Sequence, residues 1–547
     1  MTHPTHAVRR TSRIAVLLTL SALLVACGGG NDDRPDPVTE GDLVESLPPA
    51  KGDVDLVRWN LPSEPDTLDP ANAVTYSSGT VVRSVCDSLL TREPDLTLEP
   101  NLADFEVVSP TEIVYTVRDD VEFWDGTPLT AEDVAWSLNR MRDPGFVLSF
   151  AFINVKSIEV TGPNEVTVLF TAPDELFINA GSALGIMQKR YGEQHPDALG
   201  TPEGGLMCSG PFELETWEPG SSITLTRNDR YWDADRRPFA KKVEFSFVGD
   251  ATALTQALDA GEIDGAYEIP ASAVPALTDS DSGRLTFGPS MQGLNLNVAR
   301  PDGPMADNDL RQALQRAIDR EALADVVFNG AATPCYTYVT PATWPQDQKA
   351  VYQAAYDEIA GERGYDVEVA KELVEKSGYA GETLVMALTA GDDTESRAAQ
   401  LIQEQAAAIG LTIELKPLQP LVYDQAGYDA AKRAELGLDL MISKNFNGAP
   451  DPLEPMGFTS LPDQVYNYTG FDNDEVTKLL TDARQSFDAD ARAQMVVEAQ
   501  EIIEADSAVI PLLATYTTSF LNERLSGAVT SFAYWSMPAM AFIGAAE

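Results

Sequence analysis

Phe123-Trp124-Asp125-Gly126-Thr127-Pro128-Leu129-Thr130-Ala131-Glu132-Asp133-Val134 contains a turn and a helix start within twelve residues. Trp124-Asp125-Gly126 has the composition of a tight turn. Thr130 followed three residues on by Asp133 predicts an N-cap, and Val134, Leu138 and Met141 supply the buried stripe of the helix behind it. Upstream, Ile113, Tyr115 and Val117 alternate through Thr111 to Arg118 as a half-buried strand does. A strand turning into a capped helix is the unit from which mixed α/β folds are built.

The same pattern spreads in both directions. A strand is expected over Val54 to Asn60, then a turn-rich Leu61 to Asp66, then a helix on Val81, Val85 and Leu89. Further strands are expected at Lys156 to Val160, Val166 to Phe170, Ile223 to Thr226, Val243 to Val248, Leu294 to Asn297, Leu384 to Leu388, Leu411 to Lys416 and Leu438 to Ile442. Leu310, Leu314, Ile318 and Leu323 hold one helical spacing across Asp309 to Val327, which ends at Asn329-Gly330. A second helix, Asp366 to Lys376, begins on an Asp cap and stops at Gly378. Strands separated by helices over several hundred residues predict α/β lobes on mixed sheets, and 547 residues are too many for one core.

Charge excludes one class of partner. With 38 Lys and Arg against 85 Asp and Glu the net charge is -47, the wrong sign for binding nucleic-acid phosphates. A solvated acidic surface is the plain reading; adaptation to a saline habitat and steering of a cationic ligand are the alternatives.

Arg9, Arg10 and Arg13 precede the apolar run Ile14 to Val25, which closes at Leu24-Val25-Ala26-Cys27. Twelve residues at about 1.5 Å each fall short of a hydrocarbon core of about 30 Å, so residues 1–26 read as a signal peptide. The last four resemble a bacterial lipobox, which makes Cys27 the lipidated first residue of the mature chain. Residues 28–52, rich in Gly, Asp, Pro and Glu, are expected to form a flexible, solvated tether. Beyond Cys27 remain Cys86, Cys208 and Cys335, enough for one bridge with three possible pairings.

Catalytic constellations are scarce. No GxSxG elbow, P-loop, HExxH or CxxC occurs, and once the signal peptide is gone His195 is the one histidine left, in a polar, loop-like setting. Paired carboxylates are uninformative among 85 acids. The residues imply no metal and no cofactor, and a binding protein stands ahead of a secreted hydrolase.

Five blocks resemble, in order, the family 5 solute-binding proteins of ABC importers, the dipeptide, oligopeptide and nickel-binding group. They are Pro62-Ser63-Glu64-Pro65-Asp66-Thr67-Leu68-Asp69-Pro70; the stretch from Phe123 to Val134; Ser209-Gly210-Pro211-Phe212 with Arg227-Asn228-Asp229-Arg230-Tyr231-Trp232; Leu310-Arg311-Gln312-Ala313-Leu314 through Arg320; and Ala508-Val509-Ile510-Pro511-Leu512.

The resemblance implies a two-lobed, three-domain periplasmic-binding-protein-like fold of the class II, cluster C type, hinged around a ligand cleft. Domain I would comprise 53–77, 205–288 and 515–547, domain II 78–204, and domain III 289–514. Cys86 and Cys208 would then share a lobe, with Cys335 across the cleft, which favours the Cys86–Cys208 pairing. Ligand contacts carried over from the family fall on Ser63, Glu64, Tyr267, Glu268, Gln292, Asn295, Asn445, Phe446 and Asn447; Phe150 and Phe152 are candidates for the pocket wall. Peptide binders of the family often place an Asp before the Asp-Pro turn, whereas Asn445-Phe446-Asn447-Gly448-Ala449-Pro450 holds no acid. Peptide remains the first expectation and a neutral polar solute such as a sugar the second; no local His supports nickel. The implied partners are a small solute, the permease subunits and, through acylated Cys27, the lipid bilayer; the implied state is an exported monomer on the outer face of the cytoplasmic membrane.

Overall fold

Two long antiparallel strands, Gly283–Val298 and Val509–Asn522, run side by side through the middle of the computed structural model, which describes residues 38–547. Pairing proceeds from Gly283 opposite Asn522 to Gly288 opposite Thr517, breaks, and resumes with Gln292 opposite Thr515. The sequence explains the interruption. Pro289 has no N–H to give the ladder, and a side chain on Gly288 would meet the Thr530 carbonyl oxygen at 1.9 Å.

The two halves of this strand pair belong to different parts of one eleven-stranded sheet. Before the break, Gly265–Tyr267 pairs with Val509–Asn522, followed by Val57–Asn60, Lys242–Ser246, Ser222–Arg227 and Phe212–Glu218. After it, Leu440–Phe446 pairs with Gly283–Val298, followed by Thr383–Thr389 and Thr412–Leu418. Each half has its own apolar core. Trp59, Phe212, Phe245 and Phe532 fill the first, and Leu294, Leu314, Ile402 and Ile442 the second. The expected boundaries at 288/289 and 514/515 thus fall inside continuous strands. A separate four-stranded antiparallel sheet, in the order Ala103–Ser109, Glu112–Val117, Glu165–Phe170, Val155–Gly162, buries Ile113, Tyr115, Val166 and Val168 against Val134 and Leu138 of the helix Ala131–Met141. The fold is mixed α/β.

Local signals around residue 123 are realised in detail. Thr130 and Asp133 form the reciprocal capping box, and Gly126 takes φ +79° at the turn. The helix expected over Asp309 to Val327 is instead two, Asn308–Ala317 and Arg320–Phe328. Ile318 turns extended and Asp319 caps the second helix by accepting from the Ala322 N–H. Apolar spacing alone does not register that interruption.

The tether expected over 28–52 also needs correction. From Val38 onward the chain is docked by backbone hydrogen bonds: Val38 N–H to Gly330, Val44 N–H to Phe287, Leu47 N–H to Ala528 and Lys51 N–H to Ala545. Composition hid this because backbone groups make the contacts and among the side chains only Leu47 is buried. The expected signal peptide and Cys27 lie outside the described residues.

Cys86 and Cys208 are joined by a disulfide spanning 122 residues of sequence, and Cys335 is a buried free thiol. Replacing both bridged cysteines by Ser should lower the unfolding free energy by about 2–5 kcal/mol, read from urea denaturation at neutral pH.

Candidate functional site

The strand break is where polar chemistry collects. Glu268, at the end of the strand Gly265–Tyr267, adopts φ +54°, a left-handed conformation unusual for a non-glycine residue. Its Oε1 accepts from Gln292 Nε2 at 2.9 Å and from the Tyr534 hydroxyl at 2.8 Å. Burial raises the Glu268 carboxyl to about 6, although the Gln292 and Tyr534 bonds and nearby Lys444 favour its charged form. Tyr267 stacks on Tyr534 with ring centroids 3.9 Å apart and tilts against Trp59 at 4.7 Å; its hydroxyl is buried without a partner.

Across from these groups, Phe446 ends the strand Leu440–Phe446 of the other half. Its ring lies 4.8 Å from Tyr76, 5.4 Å from Phe532 and 5.3 Å from Trp535, so aromatic faces from both halves meet here. The Asn447 N–H donates to the Met291 carbonyl beside the break, while its side-chain amide nitrogen is buried and unpartnered.

Of the expected site residues, Tyr267, Glu268, Gln292, Phe446 and Asn447 therefore converge around residues 288–292. Asn295 on Gly283–Val298 donates to Asn445 on the neighbouring strand Leu440–Phe446. Ser63 bonds Ser77 on the helix Tyr76–Val85. Glu64 is engaged elsewhere. Its carboxylate accepts from Trp217 Nε1 at 2.8 Å and from the Gly220 N–H, locking the hairpin between Phe212–Glu218 and Ser222–Arg227 at the sheet edge. Phe150 meets Phe458 edge-on at 5.3 Å, whereas Phe152 is buried against Phe177. His195 bonds the Tyr191 carbonyl and stacks on that ring.

Sequence reasoning missed a contact between the segment after the strand Glu165–Phe170 of the four-stranded sheet and the helix Asp474–Gln485. Asp174 accepts two hydrogen bonds from Arg484, both at 2.9 Å, and the Glu175 N–H donates to the Arg484 carbonyl. Arg492 pairs with Glu175 at 2.9 Å and with Asp451. Burial pushes Glu175 up to about 7 against the pull of Arg492. One Asp-Glu pair among 85 acids offers no signal in the sequence. An open hollow of about 280 Å³ near Arg118 and Trp232 lies apart from both contacts. Among the described residues no group of three or more His, Cys, Asp or Glu is placed to hold a metal ion.

The family model "Bacterial extracellular solute-binding proteins, family 5 Middle" matches residues 97–467. The chain belongs to this family. As a family 5 solute-binding protein of ABC importers, it resembles the glutathione-binding protein GsiB of Escherichia coli strain K12, with 26% identity over 492 residues, 87% of this chain and 91% of that one. Solved structures share the fold. DppA from Helicobacter pylori, in complex with the peptide STSA, superposes with a TM-score of 0.78 at 18% identity, covering 91% of this chain and 99% of that one. AppA from Bacillus subtilis, in complex with a nonapeptide, gives 0.76 at 19% identity over 91% and 100%. AgaA from A. tumefaciens R10, in complex with agropinic acid, gives 0.75 at 22% identity over 90% and 99%.

Two predictions follow from the charges of this family 5 protein. A carboxyl held at about 6 in the folded state and near 4.5 when unfolded binds its proton more tightly when folded, so its ionisation removes stability as pH rises through that interval. Glu268→Gln should stabilise the ligand-free protein at pH 7 by about 1–2 kcal/mol and give no gain at pH 4, read from denaturant midpoints. Arg484→Ala strips the buried Asp174 carboxylate of its two-bond partner and should lower the unfolding free energy by about 3–5 kcal/mol, read from urea denaturation.

Proposed function

We propose that the protein is the lipid-anchored receptor of an ABC importer, taking a small solute, a peptide first of all, into the space between its lobes and handing it to the membrane permease. It acts as a monomer, held by acylated Cys27 on the outer face of the cytoplasmic membrane, and changes no bond of its guest. The observation that carries this reading is the interruption at Gly288-Pro289 in a strand pair shared by both halves, with Glu268, Gln292, Phe446 and Asn447 gathered at it.

Such a carrier needs two conformers separated by a few kcal/mol and a guest that prefers one of them. An interrupted ladder supplies the bend, and groups from both halves supply the preference. The glutathione-binding and peptide-bound relatives favour a short peptide. The oligosaccharide reading draws on Asn445-Phe446-Asn447, whose amides and ring suit hydroxyls and a sugar face. A secreted hydrolase is the contrasting class, and consumption of the bound solute would establish it.

Incubation with short peptides at about a hundred times their Kd should stabilise the protein by about 2.7 kcal/mol, with the peptides recovered intact by mass spectrometry. In cells, Cys27→Ala should release the protein into soluble fractions, followed by immunoblotting of membranes and supernatant.

A further inference from the structure

The carboxylate at the strand break is only half used. Both donors that reach Glu268, Gln292 Nε2 and the Tyr534 hydroxyl, bond the same oxygen, Oε1. Among the described residues no group bonds Oε2, and that oxygen is not sealed off: Glu268 keeps partial accessibility although its carboxyl lies deep. A partly accessible carboxylate oxygen that the described residues leave unbonded can take a donor from outside, and a charged donor serves it about twice as well as a neutral one.

The surroundings select the sign of that donor. Tyr267 and Tyr534 stack beside the carboxylate, and Tyr76 packs on Phe446, close enough to Glu268 for its charge to hold the Tyr76 phenol up alongside burial. Faces of aromatic rings attract cations and repel anions. Lys444, whose charge reaches Glu268, is already bonded to Asp392 at 2.5 Å, and Glu395 stands beside that pair. Glu268, Asp392 and Glu395 against Lys444 leave the region negative. The Tyr267 hydroxyl, on the residue before Glu268, is buried and unpartnered. The strained backbone of Glu268 also fits a side chain aimed by function.

We infer that the solute carried between the lobes bears a cationic group, an ammonium or guanidinium, which docks on Oε2 of Glu268 beside the rings of Tyr534 and Tyr267. This rests on the carrier reading and narrows it. The cation is received from the first half of the molecule, at the strand Gly265–Tyr267, and not from the acid-free loop 445–450. Neutral sugars lie outside this class.

The test offers the full mature chain a tryptic casein hydrolysate, removes free solutes by gel filtration and identifies what remains by mass spectrometry after denaturation. A second aliquot of the hydrolysate is acetylated beforehand to block its amines, and Glu268→Gln is run beside the wild type, with circular dichroism confirming its fold. Wild-type protein should retain solutes that carry an ammonium or guanidinium, with retention falling roughly tenfold to a hundredfold in Glu268→Gln and after acetylation for solutes whose only cation is an amine. Retention of solutes without a cationic group, equal retention by Glu268→Gln, or equal retention of the acetylated amines would overturn the inference and leave the carrier reading standing. Retention of nothing by the wild type would remove the carrier reading and this inference with it. Should Glu268→Gln fail to fold, the acetylated arm decides alone.

Discussion

Three residues without ladder partners, Pro289, Ser290 and Met291, separate the two halves of a sheet that otherwise runs as one body. A β-ladder resists bending because successive hydrogen bonds hold neighbouring strands in register, and resistance falls where those bonds are missing. Proline fixes the site of the loss, and the contact between Gly288 and the Thr530 carbonyl leaves no room for a side chain there. Sequence thus dictates a weak line across a stiff sheet. Separate apolar cores lie on either side of it.

Aromatic rings meet near that line, and ion pairs join parts of the chain further off. Phe446 lies against Tyr76, Phe532 and Trp535 near the break, and Asp174 and Glu175 meet Arg484 and Arg492. Ion pairs taken out of water contribute little net stability because desolvation offsets their attraction, yet they fix a geometry. Burial holds Glu175 up at about 7 and Glu268 at about 6, so the charged forms of both acids are disfavoured where they sit.

Much of the fold was legible in the residues. The Thr130 and Asp133 pair, the strand alternation at Ile113 to Val117 and the Asp366 cap are local rules with local consequences, and each appears in the structure. Legibility failed where tertiary context decides. Asp319 breaks a continuous apolar spacing by capping a new helix, and residues 38–52 are held by main-chain bonds that composition does not report. Within the candidate site, Glu64 and Glu268 look alike as single acids after strands. One is tied to Trp217 and Gly220 at a sheet edge, while the other has an open oxygen at the break. Only the fold separates them. The Asp174–Arg484 contact joins residues 310 apart in sequence, and no spacing rule reaches that far.

The central claim is that the halves move about residues 288–292 and settle on a guest. Val160 and Val326 are exposed, one in the separate four-stranded sheet and one on a helix packed on the far half, and cysteines placed there can carry spin labels. Pulsed dipolar spectroscopy of that pair should give a broad, longer distance distribution without solute and a narrow, shorter one after the casein hydrolysate is added. One unchanged distribution in both conditions, with bound solute verified in the same sample, would contradict the account.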